Sequence, residues 1–308
     1  MAMHSIPLSE EALVGSFSTD IKPCISIHSG DTLRLETLDG GWGKGSSYEE
    51  RIKPFARKGK GHPLAGPIFI EEARKGMTLK IHFNDIKPGR YGFTAAGGYP
   101  NWQNQKLLLL NDKEIILEWT LDNQTMTGAC IINERKFVVS LNPFLGNIGM
   151  PPEVGGEHST WPPRFCGGNI DCKELVKGST LYLPVSVDGA YLALGDGHAA
   201  QGDGEVSCQA IECPMELVDV TIEVLPDTVI SLPRANTPTG WITFGFHEDL
   251  NEATVQALDQ MLELLGELYG LRRVEAMALG SSIIDLRITQ IVNGVKGVHA
   301  FLPHGILL

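Results

Sequence analysis

The segment GDGHAAQGDGE, residues 195–205, holds two aspartates, a histidine and a glutamate among four glycines. Asp196 and His198 are two positions apart, so an extended backbone would place both side chains on one face. Glycine loses much conformational freedom on folding and is used where the chain must bend sharply. The residues alone allow two interpretations. The segment is either a solvated acidic turn, or a site where Asp196 and His198, with Asp203 and Glu205, converge on a cation.

Three other stretches hold carboxylates or a histidine beside glycines. A carboxylate and an imidazole together suit a divalent cation such as zinc, and further carboxylates suit a harder cation such as calcium. Each residue also has an ordinary alternative, since aspartate beside glycine is common in turns and a loop histidine can simply be hydrogen-bonded. Spacing alone therefore leaves the metal site open. The stretches are ETLDGGWG with Glu36 and Asp39, GHPLAGP with His62, and CGGNID with Asp171.

A second kind of chemistry is suggested by EVGGEHSTWPPRFCGG, residues 153–168. A carboxylate such as Glu157 beside an aromatic wall can act as a general base. Trp161 and Phe165 are then candidates for the walls of a substrate pocket. The alternative is a surface loop stiffened by prolines, in which both rings only pack. Cys208, in GEVSCQA, is interpreted as a packed residue of an ordinary strand rather than a nucleophile.

Composition restricts the partners and the compartment. The 308 residues carry a formal net charge of −12 at pH 7, and nucleic acids and anionic membranes are bound through basic surfaces, so we expect neither as a partner. The strongest apolar run, Leu107–Leu110, is far too short to cross a bilayer, and the first residues do not form a secretory signal. Six cysteines without a C-x-x-C pair predict reduced thiols in a cytoplasmic protein.

Strands must position most of these candidates. The 35 glycines and 18 prolines favour short strands joined by turns. DTLRLETLD, residues 31–39, alternates apolar and polar side chains with period two, as half-buried strands do. Further strands are predicted in PIFIEEA and MTLKIHFNDI, and at residues 106–110, 114–119, 135–140, 180–187, 191–194, 205–212 and 216–224.

The pattern changes after residue 240. From Asn251 to Leu268 apolar residues recur every three or four positions, which predicts an amphipathic helix that ends at Gly270 and serves packing or a subunit contact. RRVEAMAL predicts a second short helix, and SIIDLRITQIV predicts a strand. We therefore expect a β-rich region for metal and substrate, residues 1–240, and a C-terminal α+β region, residues 241–308. The predicted apolar stripe consists of Val255, Leu258, Leu262, Leu265 and Leu268.

Several long segments carry a family signature: SGDTLRLETLD, GHPLAGPIFIEEARKG, NPFLGNIGMPPE, CGGNIDCKELVKGSTLYLPVSVDGAYLALGDGHAAQGDGEV and a tail with ITQIVNG. Together they resemble the acetamidase/formamidase family, amidohydrolases that release ammonia from short aliphatic amides. The resemblance runs from about residue 20 to residue 305 and is most specific between Gly167 and Glu205. It implies a mainly β fold, a jelly-roll-like β-sandwich with a β-barrel-like segment and a small C-terminal α+β layer.

The resemblance also implies a centre of divalent metal, zinc, with calcium in some members. Glu36 and Glu205 are further ligand candidates, and Glu157 is implied as the general base. Cys166 departs from the family pattern, because several members have histidine directly before GGN. The ligands implied by matching motifs are Asp39, His62, Asp171, Asp196 and His198.

The implied reaction is hydrolysis of a small neutral amide, of the formamide or acetamide type, to a carboxylate and ammonia. A bound divalent cation lowers the pKa of its water and polarises the carbonyl. Two alternatives stay open at this point: a γ-lactam (cyclic amide) hydrolase that uses the same site, and a non-catalytic, metal-stabilised β-sandwich that binds amides or carbohydrates. We expect a homodimer or a higher homo-oligomer.

Overall fold

The computed structural model describes residues 1–45 and 47–306, so Leu307 and Leu308 of the predicted C-terminal region lie outside the described residues. Strands account for 41% of the structure and helices for 13%, which confirms the mainly β class. None of the described helices is long and apolar enough to span a membrane. The helices are α1 (Trp102–Lys106), α2 (Leu250–Tyr269) and α3 (Arg273–Ile283), with a short 3₁₀ helix at Leu109–Asn111.

The strands follow one another along the whole described chain. In chain order they are β1 (Met3–Ile6), β2 (Leu13–Val14), β3 (Ser16–Phe17), β4 (Ile25–Ile27), β5 (Asp31–Leu35), β6 (Leu64–Ile70), β7 (Thr78–Pro88), β8 (Tyr91–Ala96), β9 (Ile115–Asp122), β10 (Thr127–Ile132), β11 (Arg135–Ser140), β12 (Phe144–Gly149), β13 (His158–Ser159), β14 (Gly167–Asn169), β15 (Thr180–Pro184), β16 (Leu192–His198), β17 (Met215–Leu225), β18 (Arg234–Asn236), β19 (Gly240–His247), β20 (Asp285–Gln290) and β21 (Lys296–Pro303).

The described strands form four sheets. The largest has nine strands in the order β1-β5-β17-β7-β15-β18-β19-β21-β20. A six-stranded sheet has the order β14-β12-β16-β6-β2, with β4 also paired to β6. The meander β11-β10-β9-β8 forms a four-stranded sheet, and β13 pairs with β3. Each sheet is an open path of strands, and none of those described closes into a barrel.

The two large sheets pack face to face over one apolar core. Along β5, Leu33 and Leu35 are buried and Arg34 is exposed, which is the predicted period-two pattern. The two leucine side chains belong to one hydrophobic cluster with residues of the six-stranded sheet, among them Ile68 of β6 and Leu194 of β16. Burial of this apolar surface is the main stabilising contribution to the sandwich, and it fixes the strand ends that carry the polar site.

The C-terminal helices cover part of the outer face of the nine-stranded sheet. Asp249 caps α2 by accepting hydrogen bonds from the backbone N–H groups of Asn251 and Glu252, at 2.8 and 3.2 Å. Gly270 ends α2 in the left-handed conformation at φ +69°, as the sequence predicts. A second hydrophobic cluster joins these helices to alternate residues of β21: it consists of Ala253, Ala257, Met261, Leu262, Leu264, Leu265, Ala276, Val298, Ala300 and Leu302.

The buried stripe of α2 differs from the predicted one. Val255 is 60% exposed and Leu268 is 40% exposed, whereas the small residues Ala253 and Ala257 are fully buried. The helix approaches β19 so closely that a Cβ atom on Gly245 would lie 1.9 Å from the carbonyl oxygen of Ala253. The contact requires small side chains on α2. A pattern of large apolar residues does not reveal such positions.

Three other predictions are corrected or refined by the fold. Residues 106–110, predicted as a strand, contain the end of α1 and the start of the 3₁₀ helix. Residues 205–212 are turns and loop rather than a strand, and Cys208 has a left-handed backbone at φ +67°. The boundary at residues 240 and 241 falls at the start of β19, so both predicted regions contribute to the nine-stranded sheet. Their division into separate functional regions stays a prediction.

Candidate functional site

The end of β16 brings Asp196 and His198 together. Asp196 Oδ1 lies 3.7 Å from His198 Nε2, and both side chains are almost completely buried. Asp196 has a positive φ of +62°, a bend that a flanking glycine on each side accommodates. With this bend the two side chains meet at the end of β16.

The His198 ring is held in one tautomer. Its Nδ1 lies 3.0 Å from Oε1 of Gln201, an oxygen that only accepts, so Nδ1 carries the proton of the neutral ring. Gln201 is fixed in turn, because its Nε2 donates to the backbone carbonyl of Asp171 at 2.8 Å. The lone pair on Nε2 then faces Glu212, whose Oε1 is 3.3 Å away. A lone pair that faces a carboxylate requires a proton or a metal ion between them.

Asp171 and Glu205 form the other side of the site. Asp171 Oδ1 and Glu205 Oε2 are buried, and neither oxygen has a hydrogen-bond partner among the described residues. The second oxygen of Asp171 accepts from Asn293 Nδ2 at 2.6 Å. Burial raises the pKa of Asp171 to about 7, and burial together with Asp171 raises the pKa of Glu205 well above its usual range. Unsatisfied buried carboxylate oxygens are costly unless a proton or a cation meets them.

Neighbouring groups of opposite charge lower the pKa of Asp196 and raise the pKa of His198. Burial acts to raise the pKa of Asp196, but His62 and His198 hold it at about 2. Burial acts to lower the pKa of His198, but the carboxylates of Glu212 and Asp196 raise it well above its usual range. The cluster thus places four carboxyl groups around one buried imidazole, an arrangement that favours a bound cation.

The donor set fits a divalent cation. Ligand atoms of Asp171, His198 and Glu205 all lie within 4.8 Å of one another, and so do those of Asp196, His198 and Glu212. One imidazole with several carboxylates is a combination that zinc and harder divalent ions accept. The buried oxygens Asp171 Oδ1 and Glu205 Oε2 keep lone pairs that can meet a cation or a proton.

Two glycines leave room for these groups. A Cβ atom on Gly146 of β12 would lie 2.5 Å from Asp171 Oδ1, 2.7 Å from His198 Cε1 and 2.9 Å from Asp196 Oδ2. A Cβ atom on Gly40 would lie 2.8 Å from Glu212 Oε2 and 2.9 Å from Asp196 Oδ1. Any larger residue at either position would displace the acidic side chains.

Asp39 is buried next to the cluster but is already satisfied. Its Oδ1 accepts from the backbone N–H groups of Gly41 and Gly43, each at 2.8 Å, and its Oδ2 lies 3.3 Å from Arg51 Nη1. Asp39 therefore folds the loop that carries Gly40, and it belongs to neither group of converging ligand atoms.

His62 is held at the side of the site. Its backbone N–H donates to Thr160 Oγ1 at 2.9 Å, and its Nδ1 lies 3.1 Å from the same hydroxyl. The ring packs against Trp161 with the two centroids 4.6 Å apart. Nδ1 is thereby engaged with Thr160, and the ring lines the same cavity as Asp196.

The cluster opens into a cavity of about 270 Å³. A larger, neighbouring cavity of about 750 Å³ shares several of its walls, including Arg57, Glu114 and Trp161, and connects it to the surface. Trp161 lines both cavities, as the pocket prediction requires. The inner cavity is lined by Gly40, Gly41, Tyr48, Arg51, Arg57, His62, Phe93, Ala95, Glu114, Trp161, Asn169, Asp196, His198, Glu205, Cys208, Gln209, Glu212 and Asn293.

Three predicted residues are not brought to this cavity. Glu36 is half exposed and forms an ion pair with Lys44. Glu157 is exposed and accepts a hydrogen bond from Ser16 Oγ at 3.0 Å, because the short β13 carries it towards β3. Phe165 is 43% exposed and lines a separate groove beside α2. The roles expected of these three residues, as a ligand, a general base and a pocket wall, stay predictions, and the structure places their side chains apart from the cluster.

Glu212 is the main residue that sequence reasoning missed. It has no glycine beside it and lies between the buried residues Ile211 and Cys213. A single acid within an apolar run is a signal of a buried carboxylate, since burial of an unpaired charge is unfavourable. Asn293 was also missed, because it reaches Asp171 from 122 positions further along the chain.

Known proteins share both the sequence and the fold. A sequence model of the Acetamidase/Formamidase family matches residues 153–307. An acetamidase of Mycolicibacterium smegmatis is 54% identical over an alignment that covers 68% of this chain and 66% of that protein. The chain spans between 17% and 66% of the length of the curated relatives that it matches.

Solved structures extend the similarity to nearly the whole chain. An acetamidase from Bacillus halodurans is 30% identical, with a TM-score of 0.81 and coverage of 97% of each chain. A recombinant predicted acetamidase/formamidase from Thermoanaerobacter tengcongensis is 29% identical, with a TM-score of 0.83 and coverage of 100% of this chain and 97% of that one. Sequence and fold together lead to one conclusion: the chain belongs to the acetamidase/formamidase family.

Proposed function

We propose that the protein hydrolyses short linear aliphatic amides to a carboxylate and ammonia, with a divalent metal ion held by the acidic cluster. The single observation that carries this proposal is the pair of unpartnered buried oxygens, Asp171 Oδ1 and Glu205 Oε2, beside His198 at the inner end of a small cavity. Family membership and the acetamidase and formamidase relatives support amides as the substrate class.

Four side chains would hold the ion: Asp171, Asp196, His198 and Glu212. His198 would offer Nε2, because Gln201 occupies Nδ1, and such an outer hydrogen bond orients a metal-bound histidine. Asn293 would orient Asp171 in the same way through Oδ2. Zinc is the ion that we propose, since the set mixes an imidazole with carboxylates. The bound ion would acidify water and polarise the amide carbonyl.

Glu205 is proposed as the residue that moves the proton, in place of Glu157. Its Oε2 is the carboxylate oxygen that combines a position on the cavity with the lack of any hydrogen-bond partner. By comparison, Glu212 Oε1 accepts from the backbone N–H of Ala210 at 3.1 Å and contacts His198. Glu205 is therefore free to accept a proton and to pass it to the departing nitrogen, which leaves only when protonated.

The walls limit the size of the substrate. An inner volume of about 270 Å³ is at the lower end of ligand cavities, which suits an amide of a few heavy atoms. Trp161 forms one wall and is itself held, because its Nε1 donates to the backbone carbonyl of Lys60 at 3.2 Å. Phe93 lines the same cavity and provides apolar surface for a short acyl chain.

The test measures ammonia release from formamide, acetamide and a γ-lactam, before and after removal of metal by a chelator and after reloading with zinc. We expect turnover of the linear amides, its loss on chelation and its return on reloading. Glu205→Gln should keep the metal and lower kcat about 10²–10⁴-fold, the usual range for a general acid–base group. Glu36→Gln is the matched control, because Glu36 is half exposed and paired with Lys44.

Two results would contradict the proposal. Absence of turnover over the whole amide panel with metal fully loaded would favour a binding protein. Loss of metal in Glu205→Gln, with the remaining loaded fraction fully active, would make Glu205 a ligand and transfer the proton step to another group.

A further inference from the structure

A second group of metal-ligand side chains lies apart from the cavity. Cys172 and Glu174 follow Asp171 in the connection between β14 and β15, and His299 lies in the middle of β21. Cys172 and His299 are fully buried, and the Glu174 side chain is 10% exposed. None of the three residues lines the cavity of the His198 cluster. The fold thus joins a loop of the sandwich to a strand of the C-terminal region at this point.

The distances within this group agree with a tetrahedral metal site. Cys172 Sγ lies 3.2 Å from Glu174 Oε2, and that oxygen lies 3.7 Å from His299 Nε2. All three ligand atoms are within 4.8 Å of one another. Zinc bonds of about 2.0–2.3 Å at tetrahedral angles place a sulfur and an oxygen ligand roughly 3.5–3.7 Å apart, and an oxygen and a nitrogen ligand roughly 3.3–3.5 Å apart. The observed sulfur–oxygen separation of 3.2 Å and oxygen–nitrogen separation of 3.7 Å deviate from these ranges by about 0.2–0.3 Å, which a small movement of the side chains on metal binding would remove.

The Cys172 thiol donates a hydrogen bond to Glu174 Oε2, and a metal ion would replace the proton between these two atoms; the other hydrogen bonds of the group use atoms that do not face the ion. His299 Nδ1 lies 2.8 Å from Thr289 Oγ1, while Nε2 is buried and has no hydrogen-bond partner in the part of the chain that the structure describes. Glu174 uses Oε1 for Arg287, at 3.0 Å, which leaves Oε2 facing the other two residues. A metal-bound histidine needs one ring nitrogen free to bind the ion and the other held by a hydrogen bond, as Nε2 and Nδ1 of His299 are. A buried ring nitrogen without a partner is otherwise unfavourable.

We propose that Cys172, Glu174 and His299 bind one structural zinc ion, separate from the ion of the His198 cluster. A thiolate with an imidazole favours zinc and disfavours calcium and magnesium. Binding would release the thiol proton to solvent, and a water molecule would complete the fourth position. The ion would tie the segment that carries Asp171 to β21, and so hold that segment in place.

Cobalt(II) is the probe, since a thiolate bound to this ion gives an intense near-ultraviolet charge-transfer band that carboxylate and imidazole ligands do not give. Metal-free protein titrated with cobalt(II) should develop this band. Cys172→Ser should abolish it and lower the bound zinc by about one ion per chain. His299→Gln is a second variant, in which we expect the same band to decrease strongly. Circular dichroism verifies that each variant is folded.

Cys208→Ser is the matched control, because Cys208 lines the cavity of the His198 cluster. The proposal requires this variant to keep the band, and it requires His198→Ala to keep it as well. Absence of the band in the wild-type protein at saturating cobalt, or its persistence in Cys172→Ser, would overturn the proposal. Retention of the band in an amidase-inactive His198→Ala protein separates this site from the proposed catalytic one.

Discussion

Gly146→Ala tests directly whether the acidic side chains act as one site. Gly146 lies on β12, and its φ is not in the left-handed region, so alanine introduces no backbone strain there. The added Cβ atom would lie 2.5 Å from Asp171 Oδ1, 2.7 Å from His198 Cε1 and 2.9 Å from Asp196 Oδ2. The substitution therefore acts on three of the four proposed ligands without removing any of them.

The size of the effect follows from these distances. Ordinary contact with a Cβ atom begins at 3.4 Å, so the Asp171 oxygen must move by about 0.9 Å. Metal–ligand distances vary by only about 0.2 Å, so a displacement of this size breaks or weakens a bond to the ion. A misplacement of about 1 Å at a reacting centre lowers the rate on the order of 10²-fold. Overpacking itself should reduce the free energy of unfolding by about 1–3 kcal/mol.

The assay combines ammonia release, metal content and the free energy of unfolding. We expect Gly146→Ala to lose bound metal and about 10²-fold or more in kcat/KM while it remains folded. Gly202→Ala is the control, because a Cβ atom at this position would have no described atom within 4 Å. This variant should keep the metal content, turnover and stability of the wild type. Normal metal content together with normal turnover in Gly146→Ala would refute the proposed arrangement of ligands.

Three further predictions concern residues outside the cluster. Leu262→Ala should reduce the free energy of unfolding by about 2–5 kcal/mol and leave KM unchanged, because Leu262 lies on the buried face of α2, away from the cavity. Val255→Ala, at a position 60% exposed, should change the free energy of unfolding by less than about 0.5 kcal/mol. Glu157→Gln should retain turnover within about twofold in the ammonia assay, since an exposed carboxylate bonded to Ser16 contributes little to a general base step; a large loss would restore its catalytic role. Hydrogen bonds from the backbone N–H of Ala2 and from other donors lower the pKa of Asp31. The ionised Asp31 carboxylate therefore stabilises the fold at neutral pH, and this contribution is lost as the pH falls below about 4. Asp31→Asn should accordingly be destabilised in urea unfolding at pH 7 by about 1–3 kcal/mol, with a smaller difference from wild type at acidic pH.

Local patterns were sufficient for some of the elements and indicated one pair of site residues. The alternation in DTLRLETLD is the burial pattern of β5, and the helix that ends at Gly270 is α2. The two-residue spacing indicated that Asp196 and His198 would lie near each other, although the left-handed backbone at Asp196 that accompanies their contact was not predicted. The family resemblance, carried by long matching segments, is confirmed by the family match over residues 153–307.

Convergence of distant segments was decided by the tertiary structure alone. Glu212 meets His198, and Asn293 meets Asp171, because strand pairing and packing bring together chain segments that no spacing rule connects. The same packing turns Glu157 outward, although it is separated from the site residue Trp161 by only three positions. Sequence periodicity reports which face of an element is buried. Whether a polar group on that face meets a ligand, a partner or solvent depends on the register and packing of the strands around it.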